Sequence, residues 1–267
     1  MLLFLGLGRM GLPMATHALR SGLDVHGYDV AAERMALFQA QGGQAVADLA
    51  AAFRAADAVM IMAGSQAQVQ ALFSGPQGIL SCARPGTLVM VISTVMPEFV
   101  QELSLRAAQG GIRVVDAPVC RAEMGAVSGT LLAFLSGAKA ACDEAAALMR
   151  PFCADIEYVG EKPGAAQVAK TINNLILWAC VVANYEGLSL AKTWQLDVDS
   201  LRRALVTSSA DNWSLRHWDK VSEMPWSIKD MEIALETSDK AGIELPLSAK
   251  IAELVRVIPV LTHAKVG

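Results

Sequence analysis

The 267-residue sequence predicts an α/β fold in which a doubly wound parallel sheet is followed by an all-helical domain. Short apolar segments alternate with helical segments up to about residue 160, and a glycine-rich turn follows the first of them. After Gly164 the strand pattern stops and only long helical patterns remain. We therefore predict two domains, residues 1–161 and residues 162–267, with the inter-domain helix opening the second.

The strands of the first domain are predicted from apolar segments bounded by polar or glycine-containing turns. Because helical segments separate them, we expect parallel pairing and right-handed crossovers. Between Asp116 and Leu131 the pattern is too irregular for a simple connection. The predicted strands are Leu2–Leu5, Asp24–Tyr28, Asp57–Met62, Gly86–Ile92, Ile112–Asp116, Leu131–Leu135 and Ile156–Val159.

A glycine motif joins the first strand to the first helix, which continues to about Arg20. The run from Gly6 to Gly11 reads Gly-x-Gly-x-x-Gly, the spacing that binds a dinucleotide pyrophosphate. The first glycine permits the tight turn, the second admits the pyrophosphate, and the third allows close packing of helix and strand. A glycine turn in an unrelated α/β protein is the alternative. The position directly after an opening strand favours a Rossmann-type dinucleotide site.

An acidic residue, Asp29, ends the second predicted strand. It follows Gly11 by eighteen positions, where a carboxylate accepts hydrogen bonds from the adenosine ribose hydroxyls. Since a carboxylate also repels a 2′-phosphate, we expect NAD in preference to NADP. Arg34 lies near enough in the sequence to leave NADP open.

Loops after the third and fourth predicted strands should face the cofactor or substrate, because ligands bind at the carboxyl ends of parallel strands. These loops contain Ala63 and the pair Ser93-Thr94. A Ser-Thr pair before a helix is also a common N-cap, and that alternative stays open.

Arg121 lies in the irregular segment after Asp116. Its planar guanidinium suits a carboxylate, sulfonate or phosphate. An ordinary surface arginine is the alternative.

Lys170 and Asn174 open a long apolar helix and share one of its faces. A lysine on a buried face must find a partner or lose its charge, so Lys170 is a candidate acid/base group. The alternative is a lysine that extends to solvent. The helices predicted for this half are residues 165–193, 199–207, 211–221, 227–241 and 246–258.

Composition limits the partners. The chain is 54% hydrophobic with a formal charge of −4, so it lacks a basic surface for nucleic acid. Its longest apolar run, Leu175 to Ala183, is shorter than the ~20 residues of a membrane span. Five dispersed cysteines favour a reducing compartment over a disulfide framework or zinc site. We expect a cytoplasmic protein with no nucleic-acid or membrane partner and no metal.

Four stretches together resemble the β-hydroxyacid dehydrogenase family, which includes 3-hydroxyisobutyrate dehydrogenase and tartronate semialdehyde reductase. They cover nearly the whole chain and are residues 4–15, residues 116–119 with 129–131, Lys170 with Asn173-Asn174, and Lys229-Asp230. The resemblance implies a Rossmann-type domain and a helical domain with the active site between them, and homodimers or homotetramers.

The resemblance also implies roles for individual residues. Lys170 would be the catalytic lysine and Asn174 its substrate-orienting neighbour. Lys229 is predicted near a helix start, where the helix dipole disfavours a cation. A role in cofactor binding would explain this placement, and so would solvent exposure. The implied cofactor-binding residues are Gly6, Leu7, Gly8, Arg9, Met10, Gly11, Asp29, Ala63, Thr94 and Lys229.

One departure from the family concerns the substrate. Most members have Ser-Gly-Gly where this chain has Cys120, Arg121 and Ala122. We predict that these residues and Asn173 bind the substrate. The arginine is similar to that of sulfolactaldehyde reductases and implies an anionic tail different from that of 3-hydroxyisobutyrate, or one held farther from the reacting carbon.

The sequence thus predicts hydride transfer between a nicotinamide and a small anionic β-hydroxyacid or semialdehyde, with Lys170 as general acid/base. An imine reductase of the same superfamily is one alternative, although such enzymes usually lack this lysine. A non-catalytic dinucleotide-binding protein is the other, and the Lys170/Asn174 pair disfavours it.

Overall fold

The computed structural model of the protein describes residues 1–262. The chain divides into two compact units, Met1–Lys170 and a second that begins at Thr171. A single mixed sheet surrounded by helices makes up the first unit, whereas the described part of the second is helical. The division falls inside one long helix. The functional boundary between residues 161 and 162 stays a prediction.

The sheet of the first unit contains nine strands in the described chain. The strands are β1 (Leu2–Leu5), β2 (Val25–Tyr28), β3 (Gln44–Ala45), β4 (Ala58–Ile61), β5 (Leu88–Val91), β6 (Arg113–Asp116), β7 (Val119–Cys120), β8 (Leu131–Ser136) and β9 (Cys153–Gly160).

Eight helices belong to the first unit, and a ninth continues from it into the second unit. They are α1 (Gly11–Arg20), α2 (Ala32–Ala40), α3 (Leu49–Ala55), α4 (Gln66–Phe73), α5 (Ile79–Cys82), α6 (Pro97–Gln109), α7 (Ala122–Ser128), α8 (Lys139–Met149) and α9 (Ala165–Thr193). Up to residue 262, six further helices follow α9 and are α10 (Val198–Leu205), α11 (Trp213–Arg216), α12 (Trp218–Val221), α13 (Ser227–Ala241), α14 (Pro246–Leu254) and α15 (Pro259–Thr262).

The strand order is β3-β2-β1-β4-β5-β6-β8-β7, and β9 pairs with β8. The strands from β3 to β6 are parallel, which confirms the predicted Rossmann-type arrangement. Strands β6 and β7 instead pair with β8 in antiparallel fashion, which the alternation of strands and helices did not predict. The short return through β7 and α7 replaces a helical crossover, and such a return favours antiparallel pairing.

The core of the first unit lies on both faces of the parallel strands. Every residue of β1, β4 and β5 is buried, as expected for parallel strands covered by helices on each side. These fully apolar strands bring their carboxyl ends to one edge of the sheet, where the loops with the predicted site residues begin.

Several element bounds differ from the prediction. The two-residue strands β3 and β7 and the helix α7 were not predicted, because short elements carry little hydrophobic periodicity. The predicted helix 211–221 is two helices that meet at His217, and α14 ends at Leu254 rather than at residue 258. Helices α9 and α13 have the predicted bounds.

Helix α9 is apolar over a longer stretch than the run Leu175 to Ala183 that the sequence analysis identified. Among the described residues it alone is long and apolar enough to cross a membrane, with mean hydropathy 1.3 over an 18-residue window. Core helices of globular proteins satisfy the same criterion. We interpret α9 as a core helix because Gln167, Trp178 and Asn184 each form hydrogen bonds inside their own unit.

Candidate active site

The glycine loop between β1 and α1 has the geometry that a bound pyrophosphate requires. Gly6 has φ +92°, and a Cβ there would overlap the carbonyl of Met62. A Cβ on Gly11 would overlap the carbonyl of Gly6, so helix and loop touch through backbone alone. Open space surrounds the position of a Cβ on Gly8. No side chain caps the start of α1 and no acidic residue occupies its first turn, so the loop fits an anionic dinucleotide.

Asp29, directly after β2, is held against this loop. One carboxylate oxygen accepts a 2.6 Å hydrogen bond from the N–H of Leu7, and the other accepts one of 2.9 Å from the N–H of Ala31. These bonds fix the carboxylate beside the glycine loop, where a ribose hydroxyl would need its acceptor. The Nε of Arg34 lies 3.8 Å from the carboxylate of Glu33, which partly offsets its charge.

The side chain of Arg9, in the glycine loop, contacts helix α7. Its Nε donates a 2.6 Å hydrogen bond to the carboxylate of Glu123, and both side chains are partly buried. The next residue, Met10, packs against the hydrophobic core of the sheet. The predicted contacts of Arg9 and Met10 with the cofactor stay predictions.

The loops after β4 and β5 are joined to each other. The N–H of Ala63 donates a 2.8 Å hydrogen bond to the Oγ of Ser93, which in turn donates to the carbonyl of Ile61 at 3.3 Å. Thr94 follows at the same edge of the sheet and is half-buried. The two predicted cofactor loops therefore form one hydrogen-bonded surface.

A buried polar network connects this surface to the start of α9. Asp116, at the end of β6, is only 1% exposed and accepts hydrogen bonds from the side-chain amide and backbone N–H of Gln167 at 2.7 and 3.0 Å. Ser136 donates to the same carboxylate at 3.1 Å. Burial raises the pKa of Asp116 to about 6, although these hydrogen bonds favour the carboxylate.

Lys170 lies one turn after Gln167 on α9. Its side chain is half-buried, and Nζ donates to the Sγ of Cys120 at 3.7 Å. Within residues 1–262 no carboxylate forms an ion pair with Lys170. The structure thus brings the predicted catalytic amine to the end of β7, next to one of the predicted substrate residues.

Arg121 has a different environment. Its guanidinium donates to the carbonyl of Thr130 at 2.7 Å and to the carboxylate of Asp155 at 2.5 Å. Both Arg121 and Ala122 have positive φ, +84° and +51°, which is unusual for residues with a Cβ. The loop is thus strained, and its arginine already has an anionic partner.

The second unit contains the remaining predicted residues. Asn174 is 2% exposed, and its side-chain oxygen accepts a 3.1 Å hydrogen bond from the amide of Asn173, an assignment that leaves the Asn174 amide as a donor. Lys229, near the start of α13, is half-buried. The next residue, Asp230, accepts a 3.1 Å hydrogen bond from the indole of Trp178 and fixes α13 against α9.

Gln167 and Ser136 are site residues that the sequence reading missed. A glutamine three residues before the lysine, at the start of an apolar helix, was the available signal. The partners of Gln167 come from the loop after β5 and from the end of β6, so no local spacing could identify them. Among residues 1–262 no group of three or more His, Cys, Asp or Glu side chains is placed to hold a metal ion.

This fold and these residues define a dinucleotide-binding oxidoreductase. The family of the NAD-binding domain of 6-phosphogluconate dehydrogenase matches residues 2–160. The family described as NAD-binding of NADP-dependent 3-hydroxyisobutyrate dehydrogenase matches residues 164–264. The chain belongs to the 3-hydroxyisobutyrate dehydrogenase-like family of β-hydroxyacid dehydrogenases, NAD(P)-dependent oxidoreductases.

Relatives and solved structures agree with this assignment. The NAD-dependent L-serine dehydrogenase of Pseudomonas aeruginosa is 30% identical, with 96% of this chain and 91% of that protein covered. The 2-(hydroxymethyl)glutarate dehydrogenase of Eubacterium barkeri is 28% identical over 94% and 86% of the two chains. A 3-hydroxyisobutyrate dehydrogenase of Mycobacterium tuberculosis, solved with L-serine, has a TM-score of 0.84 at 26% identity, covering 95% and 91%. A Streptomyces aurantiacus imine reductase, with TM-score 0.69, 21% identity and coverage of 94% and 92%, shares the fold.

Proposed function

We propose that this protein transfers a hydride between a nicotinamide cofactor and a small anionic β-hydroxyacid or the corresponding semialdehyde. The observation that carries the proposal is the half-buried Lys170, an amine whose hydrogen-bond acceptor in the described chain is the Cys120 thiol and not a carboxylate. An amine without an ion-pair partner remains available to exchange a proton with substrate.

In this proposal Lys170 is the general acid in reduction and the general base in oxidation. A bound nicotinamide supplies the hydride chemistry. During reduction the Lys170 ammonium protonates the developing alkoxide, and during oxidation the neutral amine removes the hydroxyl proton. Asn174, one turn further along α9, donates its side-chain amide to the substrate oxygen, and Asn173 holds that amide in orientation.

The proposed substrate class follows from the relatives and from the loop after β7. The relatives named for L-serine and 2-(hydroxymethyl)glutarate act on hydroxy acids. Arg121 and the backbone amides around Ala122, together with Cys120, are the proposed binding groups for the anionic end. Because Asp155 already pairs with Arg121, we propose that the substrate anion competes with this carboxylate for the guanidinium.

We propose NAD as the preferred cofactor. The Asp29 carboxylate, fixed beside the glycine loop by two backbone N–H groups, supports this preference because it would accept ribose hydroxyls and repel a 2′-phosphate. The relative from Pseudomonas aeruginosa is NAD-dependent, whereas the family of the second half is described as NADP-dependent.

A homodimer or homotetramer is the proposed assembly. Large apolar side chains stay exposed along α9 in the second unit, among them Ile176 and Leu190, each at 62%. Light scattering coupled to gel filtration would measure the mass. We propose the cytoplasm as the compartment, since all five cysteines are free.

The proposal is tested by following NADH and NADPH oxidation with a panel of carbonyl substrates. The panel contains the semialdehydes of methylmalonate, tartronate and succinate, sulfolactaldehyde, and a cyclic imine. We expect oxidation of NADH with at least one anionic aldehyde. Turnover of the imine alone would make the protein an imine reductase, and binding of NADH without turnover of any compound would make it a non-catalytic dinucleotide-binding protein.

A further inference from the structure

Gln167 uses every polar atom of its buried side chain to connect three parts of the first unit. Its Nε2 donates to the carbonyl of Ser93 at 3.0 Å and to the carboxylate of Asp116 at 2.7 Å, while its Oε1 accepts from the N–H of Val95 at 3.1 Å. The side chain is 0% exposed. A fully satisfied buried amide of this kind fixes the elements that it joins.

These partners lie next to predicted site residues. Ser93 and Val95 flank Thr94 in the sequence. The Ser93 hydroxyl also accepts a hydrogen bond from the N–H of Ala63. Asp116 ends the strand that leads to Cys120. Gln167 itself stands three residues before Lys170 on α9, so any shift of its backbone moves the lysine with it.

The anchorage of α9 has a second component. The carboxylate of Asp116 accepts the backbone N–H of Gln167 at 3.0 Å, and the hydroxyl of Ser136 accepts that of Ala166 at 3.0 Å. A carboxylate at the first turn also complements the helix dipole. The start of α9 is therefore held by β6 and β8, and the glutamine side chain adds the connection to the loop after β5.

We propose that Gln167 is a positioning residue that holds the predicted cofactor loop Ser93–Val95 and the predicted catalytic Lys170 in fixed relation to each other. The inference rests on the proposed function, because it assigns Gln167 a part in the same hydride transfer. Gln167 contacts neither substrate nor cofactor and acts through the loop and through the helix.

The test replaces Gln167 by Met, which keeps the length of the side chain and removes all three hydrogen bonds. We expect kcat to fall at least tenfold while KM for the anionic substrate changes less than threefold, at a temperature where the variant is folded. The matched control is Thr87→Val, at the residue directly before β5. It removes a buried hydroxyl that donates a hydrogen bond to the carbonyl of Ala56 at 3.3 Å. This control should keep its kcat, because Thr87 lies at the opposite end of the strand from Thr94.

A second readout does not depend on turnover. Amide hydrogen exchange of Val95, whose N–H donates to the Gln167 side chain, should become at least tenfold faster in Gln167→Met and stay unchanged in Thr87→Val. If Gln167→Met does not fold, Gln167→Asn serves instead, because its shorter side chain cannot reach Ser93 and Asp116 together.

The outcomes separate the two proposals. A wild-type protein without turnover on any panel compound would refute the proposed function, while unchanged exchange at Val95 would refute the connection made by Gln167. Normal kcat in a folded Gln167 variant of an active enzyme would overturn the positioning role and leave the hydride transfer intact.

Discussion

The start of α9 and the loop after β7 each present a cation that the sequence predicts for the active site, yet the two cations differ in their partners. Lys170 donates to the thiol of Cys120. Arg121, one residue after that cysteine, donates to a carboxylate, Asp155, and to a backbone carbonyl. Among the described residues the lysine therefore has no anionic partner, whereas the arginine is already paired with a carboxylate.

The difference shows that a cation is useful to chemistry according to what surrounds it. A half-exposed ion pair such as that of Arg121 with Asp155 contributes little stability, roughly 0–1 kcal/mol, but it lowers the affinity of the arginine for another anion. An amine facing a thiol has no such competitor. We therefore expect the reaction to depend strongly on Lys170 and weakly on Arg121.

The largest effect should come from Lys170→Met. Removing the proposed proton donor should lower kcat by about a thousandfold, in the middle of the ~10²–10⁴ range for general acid–base groups. The dissociation constant of NADH, measured by fluorescence, should change less than threefold. The control is Lys139→Met, which removes a lysine paired with Asp143 on α8 and should leave kcat unchanged. A Lys170 variant within tenfold of the wild type would refute the assignment.

The next effect concerns Asp116, the carboxylate that holds the start of α9 near Lys170. Burial raises the pKa of Asp116 from 3.8 to about 6, so the folded state favours its neutral form. Its contribution to the free energy of unfolding is therefore largest below pH 4 and is lost as the pH rises through 6. Asp116→Asn cannot titrate and has one acceptor where the carboxylate has two.

For Asp116→Asn we expect a loss of stability against the wild type that is greater at pH 4.5 than at pH 7.5, by roughly 2 kcal/mol, from the size of the pKa change. Urea unfolding of both proteins at the two pH values measures this. Equal losses at both would mean that Asp116 is not protonated in the folded protein over this range.

A third effect concerns Asp29, whose charge should exclude a 2′-phosphate. Asp29→Ser should raise the ratio of kcat/KM for NADPH to that for NADH by about tenfold, a change of ~1.4 kcal/mol in relative transition-state binding. Asp48→Ser is the control, because that carboxylate also accepts a backbone N–H, from Ala51, but at the start of α3. A ratio that does not move in the Asp29 variant would remove the basis for the NAD preference.

The smallest effects should come from Arg121 and its partner, and they should have opposite signs. Arg121→Ala should raise KM for the anionic substrate several-fold, whereas Asp155→Asn should lower it by releasing the guanidinium. Steady-state kinetics of both variants with the best panel substrate measures this. If neither variant changes KM, Arg121 serves the fold of its loop and not the substrate.

Much of this molecule could be predicted because its signals are local. The glycine spacing from Gly6 to Gly11, the fully apolar strands and the bounds of α9 and α13 depend on neighbouring residues, and the structure confirms the fold that they predict. Helical spacing also predicts that Lys170 and Asn174 share one face of α9, whereas their catalytic roles are implied by the family resemblance and stay predictions.

The remainder depends on contacts between distant residues. Asp155 pairs with Arg121, which lies 34 residues away in the sequence. Asp116 accepts a hydrogen bond from Gln167, which lies 51 residues away. No periodicity connects such residues. The loop 116–131 shows the same limit, because its short strand β7 and helix α7 form with two non-glycine residues at positive φ, a conformation that composition does not predict.

The reaction that we propose delivers a hydride to an anionic carbonyl compound, with Lys170 supplying the proton. The most direct measurement uses NADH deuterated at C4 of the nicotinamide and mass spectrometry of the products from the semialdehyde panel, with wild type and Lys170→Met in parallel. We predict one deuterium on the carbinol carbon of a hydroxy acid, formed by the wild type and at most in traces by the variant. Deuterium in the amine product alone, or equal amounts from both proteins, would contradict the account.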